Sequence, residues 1–205
     1  MIRNLEVRCL AAALVAGCAA TASAAVWDES VNGDISGDRA APSVATVAFG
    51  DNLVKGATAR GDLDYLTFEV PAGMTLAAIV LDNYESLDNK GFMAVQAGSV
   101  FTEPPGAAEV VVGNLLGYVL YGSGAAAEGN DLLPLMGTAD GAIGFTAPLP
   151  AGPYTFWIQQ TGLATTYEFN FKVAPEPSAA ALALGGAAGL ALLRLTRRRA
   201  LSREG

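Results

Sequence analysis

The chain has no histidine, and both of its cysteines, Cys9 and Cys18, lie near the N-terminus. Without histidine it can form neither a Ser-His-Asp triad nor a metal centre with histidine ligands. The residues after Cys18 offer no thiol nucleophile and no partner for a disulfide. No glycine-rich loop follows a strand pattern and opens a helix, as a phosphate-binding loop does. The sequence therefore predicts a protein without enzyme activity and without a bound organic cofactor.

Basic residues are scarce in the middle of the chain. Residues 26–173 contain 5 of the 12 basic residues and 17 of the 20 acidic ones, which gives a formal net charge of −12. Such a surface repels phosphate backbones, so we expect no nucleic-acid partner. It suits solubility outside the cell, and it suits the binding of cations.

The C-terminal segment, residues 174–205, combines three features in a fixed order. Pro175-Glu176-Pro177 comes first, and residues 179–193 follow without a charge. Four clustered arginines follow this run, namely Arg194, Arg197, Arg198 and Arg199. A helix of these uncharged residues is about 22 Å long, which is short for a hydrocarbon core of about 30 Å. We therefore predict a transmembrane helix that extends over about 179–195, with its arginines on the cytoplasmic side.

This order of features resembles the PEP-CTERM sorting signal of exported bacterial proteins. The resemblance implies that the chain is held briefly in the inner membrane and that an exosortase then cuts near Pro175-Glu176-Pro177. It also implies a final place at the cell surface or in the extracellular matrix, as a polysaccharide-matrix component or adhesin with exopolysaccharide as a partner. An ordinary C-terminal membrane anchor is the alternative.

The N-terminal segment, residues 1–24, has the pattern of a secretory signal peptide. Two arginines precede an apolar run over residues 9–20, and Ala22-Ser23-Ala24 supplies the small residues of a cleavage site. We predict that signal peptidase cuts after Ala24. The alternative is a lipobox that ends at Cys18, whose side chain would then be acylated. A second anchor has little use beside a sorting tail, and this favours cleavage after Ala24.

The remaining residues, 25–173, predict one all-β domain. Short apolar runs alternate with clusters of Gly, Pro, Asn and Asp, as in a β-sandwich or jelly roll. The predicted strands are Val44–Phe49, Asp64–Val70, Thr75–Leu81, Phe92–Ala97, Gly117–Tyr121, Ile143–Thr146, Pro153–Gln160 and Thr165–Val173. One short helix is predicted over Asn130–Met136, with Asn130 as its N-cap. The alternation of apolar residues places Phe68, Phe156 and Phe169 in one core.

Two turns with the same residues suggest a family for this domain. Val70-Pro71-Ala72-Gly73 and Leu149-Pro150-Ala151-Gly152 each precede a predicted strand. With Gly61–Val70, Pro153–Phe156 and Tyr167-Glu168-Phe169, they resemble the bacterial pre-peptidase C-terminal domain over roughly residues 45–173. The resemblance implies a non-catalytic β-sandwich of the kind found on secreted proteins.

One loop has the spacing of a calcium site. Asn32, Asp34, Ser36 and Asp38 place oxygen-bearing side chains at every second position, and Gly37 stands at the sixth. Asn32 lacks the charge usual at the first position, and Ser43 stands where a bidentate glutamate is expected. The alternative is a solvated turn that leads into the first strand.

Two further features allow a functional and a structural interpretation. Asp62 and Asp64 flank the start of a strand, and we interpret them as residues that face water rather than as a catalytic pair. Trp157 lies between Phe156 and Ile158, so it points away from a core that those two residues face. An exposed Trp157 would suit a glycan-binding module, whereas a buried one would pack under a loop or on the second sheet face.

Overall fold

The computed structural model describes residues 24–87, 90–106 and 110–176. These residues form two β-sheets and a few short helices, which confirms the all-β prediction. The strands are β1 (Ala24–Asp28), β2 (Ser43–Val44), β3 (Gly50–Thr58), β4 (Leu63–Val70), β5 (Met74–Glu85), β6 (Gly91–Ala97), β7 (Gly117–Tyr121), β8 (Gly152–Gln159) and β9 (Thr165–Pro175). The α-helices are α1 (Glu29–Asn32) and α2 (Leu133–Gly137).

Several predicted features lie outside the described residues. They are the signal segment up to residue 23, the membrane helix over 179–195, Pro177, and the arginines Arg194, Arg197, Arg198 and Arg199. Within the ranges that are described, no helix is long and apolar enough to cross a membrane.

The two sheets pack face to face around one core. The first sheet has the strand order β1-β3-β9-β5, and the second has the order β2-β4-β8-β6-β7. The pairs β1–β3 and β2–β4 are parallel, and the other pairs are antiparallel. Alternate residues of each long strand point into the space between the sheets, as the period of an extended chain requires. Every second residue of β9, from Tyr167 to Val173, is buried there.

Aromatic rings from both sheets fill the centre of this core. Phe68 and Phe156 of the second sheet stack with ring centroids 5.3 Å apart. Phe171 of the first sheet meets both rings edge-on, at 5.1 and 5.0 Å. Phe169 lies in the same cluster, so the predicted grouping of Phe68, Phe156 and Phe169 is confirmed.

The prediction for residues 44–58 is wrong in part. Of the predicted strand Val44–Phe49, only Val44 belongs to a strand, β2, whereas the next long strand is β3. Asn52, in β3, is buried, and its amide donates to the carbonyl oxygens of Ala48, Gly50 and Phe171. These hydrogen bonds allow a polar residue at a buried position. The hydrophobic pattern therefore does not reveal this strand.

Two other predictions need correction. Residues 143–146 form a loop rather than a strand, because Ile143 is 65% exposed and Gly144 has a φ of 81°. Helix α2 begins after Leu132, and the carboxylate that accepts a hydrogen bond from its first turn is that of Asp131, at 3.0 Å from the Leu133 nitrogen. Asp131 also accepts from the Ile79 nitrogen, so it ties the helix to β5. The N-cap position is Leu132, so the predicted cap, Asn130, lies two residues too early.

The packing of the core predicts the effect of a truncation. Phe156→Ala removes a fully buried ring and should lower the free energy of unfolding by about 3–5 kcal/mol. Urea denaturation of residues 25–176 measures this loss. The control is Phe49→Ala, since Phe49 is 56% exposed and its loss should change stability by less than about 0.5 kcal/mol. Equal effects of the two substitutions would contradict the packing described here.

Candidate metal centre

Three carboxylates meet at one end of the sandwich. Glu29, Asp34 and Asp64 each offer one oxygen atom, and these three atoms lie within 4.8 Å of one another. Glu29 is the first residue of α1, Asp34 lies in the loop after it, and Asp64 lies near the start of β4. We call these three residues the carboxylate centre.

Asp64 is the buried member of the carboxylate centre. It lies on the same face of β4 as Leu66 and Phe68, so its side chain enters the space between the sheets, where it is fully buried. One carboxylate oxygen accepts a hydrogen bond of 2.5 Å from the Tyr167 hydroxyl of β9. The other, Oδ1, is buried and has no hydrogen-bond partner among the described residues. A buried carboxylate oxygen without a partner is costly, so the site requires a proton or a cation.

The protonation of Asp64 reflects this burial. Loss of solvent raises its pKa to about 8, against the hydrogen bond from Tyr167, which lowers it. The charges of Glu29 and Asp62 raise the pKa further. Burial and the neighbouring Asp64 also raise the pKa of the Tyr167 hydroxyl well above its ordinary value, so Tyr167 remains the hydrogen-bond donor.

Glu29 is held in place by backbone groups. Its Oε1 accepts from the Ile35 nitrogen at 3.1 Å, and its Oε2 accepts from the Ala57 nitrogen at 2.8 Å. The helix that carries it begins with an N-cap at Asp28, whose Oδ1 accepts from the Ser30 nitrogen at 3.0 Å. Burial raises the pKa of Glu29, while its two backbone hydrogen bonds act in the opposite direction. The side chain is therefore oriented before any ligand binds.

Gly56 provides the space that the centre needs. This residue pairs with Tyr167 across β3 and β9. A Cβ atom at Gly56 would lie 2.4 Å from the Tyr167 hydroxyl oxygen and 3.2 Å from the Glu29 Cδ. A larger residue would therefore displace Tyr167, which binds Asp64, or disturb Glu29 itself.

The residue types of the centre suit a hard divalent cation. Calcium is bound by six to eight oxygen atoms, and carboxylates are its usual protein ligands. The three side chains offer only oxygen atoms as ligands. Oδ1 of Asp64 is buried and has no hydrogen-bond partner among the described residues, so its lone pairs are available to a cation. Burial and then the charge of Asp34 raise the pKa of Asp62, which shows that Asp62 lies close to the centre and adds to its negative potential.

The predicted calcium loop contributes only Asp34 to this cluster. Asn32 accepts a hydrogen bond from the Asp28 nitrogen at 2.9 Å, and Asp38 accepts from the Ala40 nitrogen at 2.9 Å. The hydroxyl of Ser36 donates to the Ala41 carbonyl at 2.8 Å. These three side chains stabilise local turns. The partners of Asp34 come instead from α1 and β4, and the spacing of the loop did not indicate them.

The other sequence-predicted residues have clear positions. Asp64 faces the interior, so the prediction that it faces water is wrong, whereas Asp62 is half-buried. Trp157 is 1% exposed and packs on the outer face of the second sheet, as its structural interpretation predicts. Ala24 is the first residue of β1. Pro175 ends β9, paired with Met74, and the Glu176 nitrogen donates to the Gly73 carbonyl at 2.9 Å.

The raised pKa of Asp64 predicts a pH dependence of stability. Between about pH 4 and pH 8 the folded state holds a proton that the unfolded state has released, so the free energy of unfolding should fall as pH rises through this range. Asp64→Asn keeps an acceptor for Tyr167 but cannot titrate, so this fall should shrink. Urea titrations at several pH values with a chelator present measure the effect. Asp140→Asn, an exposed control, should keep the wild-type slope. An unchanged slope in Asp64→Asn would contradict the assignment.

Comparison with known proteins gives no family for this arrangement. No protein-family model matches the chain, and neither a curated protein nor a solved structure does so.

Proposed function

We propose that this chain is an exported, non-enzymatic β-sandwich module that binds calcium at the carboxylate centre. The observation that carries this proposal is the buried Asp64, whose Oδ1 has no hydrogen-bond partner among the described residues and whose carboxylate lies in a cluster with those of Glu29 and Asp34. A cation there would satisfy Oδ1 and would reduce the repulsion among the three carboxylates.

The position of the centre suggests a structural role for the ion. Glu29 follows β1 at the N-terminal end of the fold, whereas Asp64 belongs to the second sheet. An ion that binds both residues joins the N-terminal segment to the far sheet. The module would thereby become more stable where calcium is abundant, as it is outside the cell. The ion would hold the fold and take no part in a reaction.

The export part of the proposal rests on the two ends of the sequence. Residues 1–24 direct secretion, and the segment 174–205 holds the protein in the inner membrane through a helix over about 179–195. An exosortase then releases the module to the cell surface or to a polysaccharide matrix, where it serves as a component or adhesin. The resemblance to PEP-CTERM proteins supports this step, and the net charge of −12 over residues 26–173 suits a soluble extracellular module.

Calcium binding predicts a gain in thermal stability. A ligand that binds only the folded state stabilises it by roughly 2.7 kcal/mol at about 100 times its dissociation constant. We expect calcium to raise the melting temperature of the wild type more than magnesium or sodium chloride does. Asp34→Asn should abolish this specific rise, because Asp34 is an exposed ligand whose loss leaves the core intact.

A matched control lies in the same loop. Asp38→Asn removes the same charge but keeps an oxygen for the Ala40 nitrogen, and Asp38 is no part of the carboxylate centre. This variant should retain the calcium response. An equal response to magnesium, or a response that survives Asp34→Asn, would show general charge screening and refute the site.

The sorting proposal predicts the mass of the released protein. In the bacterial host the mature chain should begin at Ala25 and lack residues 179–193. Replacement of Pro175-Glu176-Pro177 by three alanines should leave the precursor in the inner membrane. Intact-mass spectrometry of the released and membrane fractions measures both outcomes, and an acylated Cys18 would be visible in the same spectrum.

Replacement of Pro104 and Pro105 by alanine, away from the tail, should leave processing unchanged. A released protein with an intact C-terminus would argue for an ordinary anchor.

A further inference from the structure

The outer face of the second sheet carries an apolar cluster of its own. Tyr65, Ala94, Phe101, Leu115 and Trp157 are buried there, apart from the core between the sheets. The Trp157 ring stacks on Tyr65 with centroids 6.1 Å apart and meets Phe101 edge-on at 5.7 Å. Phe101 and Leu115 belong to the segment between β6 and β7, so this segment covers one part of the sheet.

A cavity of about 220 Å³ lies beside this cluster. Its apolar lining comes from Phe92 of β6, Leu120 of β7, Trp157 of β8 and Val110. The Phe92 ring meets Trp157 edge-on at 5.0 Å, which holds it in place. Leu120 is 51% exposed, so the cavity is reached from the β7 edge of the sheet. The volume is below the roughly 300–1,000 Å³ of sites for drug-sized molecules, so the cavity suits a ligand of one ring.

Polar groups accompany these apolar side chains. Gln159, on the same face of β8, is half-buried and lines the cavity with Lys90. The side-chain amide of Gln160 donates to the Lys90 carbonyl at 2.9 Å, so the backbone at Lys90 is fixed. The lining therefore offers donors and an amide acceptor next to ring and methyl surfaces.

We infer that this cavity binds one neutral pyranose unit of a glycan. The ring of a pyranose has an apolar C–H face, which suits Phe92 and Leu120, and a rim of hydroxyl groups, which suits Gln159 and Lys90. The lining has no carboxylate and its one charged residue, Lys90, is exposed to solvent, so the net charge of −12 over residues 26–173 disfavours an acidic sugar. The ligand is therefore neutral.

This site extends the proposed function and does not depend on the carboxylate centre. The cavity is formed by the second sheet's strands β6, β7 and β8, whereas the centre involves α1 and β4. A glycan partner at the cavity would attach the module to a polysaccharide, while calcium would only stabilise the fold. The two proposals can thus fail separately.

The test measures the binding of methyl glucoside, methyl galactoside and methyl mannoside by ligand-observed NMR. The full chain is held in phospholipid nanodiscs, which avoids alkyl-glycoside detergents. Because one ring buries little surface, we expect saturable binding of at least one methyl glycoside with a dissociation constant of roughly 1–10 mM. Leu120→Lys places a charge at the cavity entrance and should weaken binding at least about tenfold.

Two controls complete the design. Val44→Lys introduces the same charge at an exposed position of β2, the opposite edge of the same sheet, and should bind as the wild type does. Asp34→Asn, which alters the carboxylate centre, should also bind normally, so failure of the calcium proposal would be seen separately. The inference is overturned if none of the three glycosides binds. It is also overturned if Leu120→Lys binds as the wild type does, or if cyclohexanol binds more tightly than the sugars and displaces them.

Discussion

The hydrogen bond between Asp64 and Tyr167 joins the two sheets at one end of the sandwich. Asp64 belongs to β4 and Tyr167 to β9, and both side chains are buried. A carboxyl group in such a place is tolerated only when its oxygens are satisfied, and Tyr167 satisfies one of them. A side chain at Gly56 would collide with Tyr167 and would crowd Glu29, so the pair requires a glycine there. Whether Oδ1 of Asp64 binds a proton or a cation therefore affects how firmly the two sheets and the N-terminal segment are held together.

The second sheet is unusual in having apolar contacts on both of its faces. Phe156 and Ile158 face the common core, whereas Trp157 faces the outer cluster. A sheet of this kind needs a covering layer, and the segment between β6 and β7 supplies part of it with Phe101 and Leu115. Glu103 helps to hold that segment, since its carboxylate accepts from the Val111 nitrogen at 2.8 Å and from the Asn114 amide at 2.7 Å. The layer leaves Leu120 half-exposed, and a cavity lies beside this residue.

The sequence pattern predicted the strands whose buried residues are apolar. Strands β4, β8 and β9 were found within a few residues of their ends, because their alternation is regular. Strand β3 was missed, since its inward positions include Asn52 and Gly56, which carry no hydrophobic signal. Asp64 lies two residues before Leu66 and four before Phe68, so the alternation of β4 does place its side chain on the core face. An aspartate at the start of a strand, however, also resembles a turn residue. The contacts of Asp34 with Glu29 and Asp64 depend on how distant segments pack, and no local spacing reveals them.

The order of strands in the first sheet decides how the fold responds to a pulling force. Strand β9 lies between β3 and β5 and continues into Glu176 without a loop. Tension applied through the C-terminal segment would therefore act along the axis of an interior strand. Its hydrogen bonds to β3 and β5 extend along almost the whole strand, and they would be loaded in shear at the same time rather than broken one by one. If the C-terminal segment holds the protein in the membrane as proposed above, the pull falls on a strand that is hydrogen-bonded on both sides.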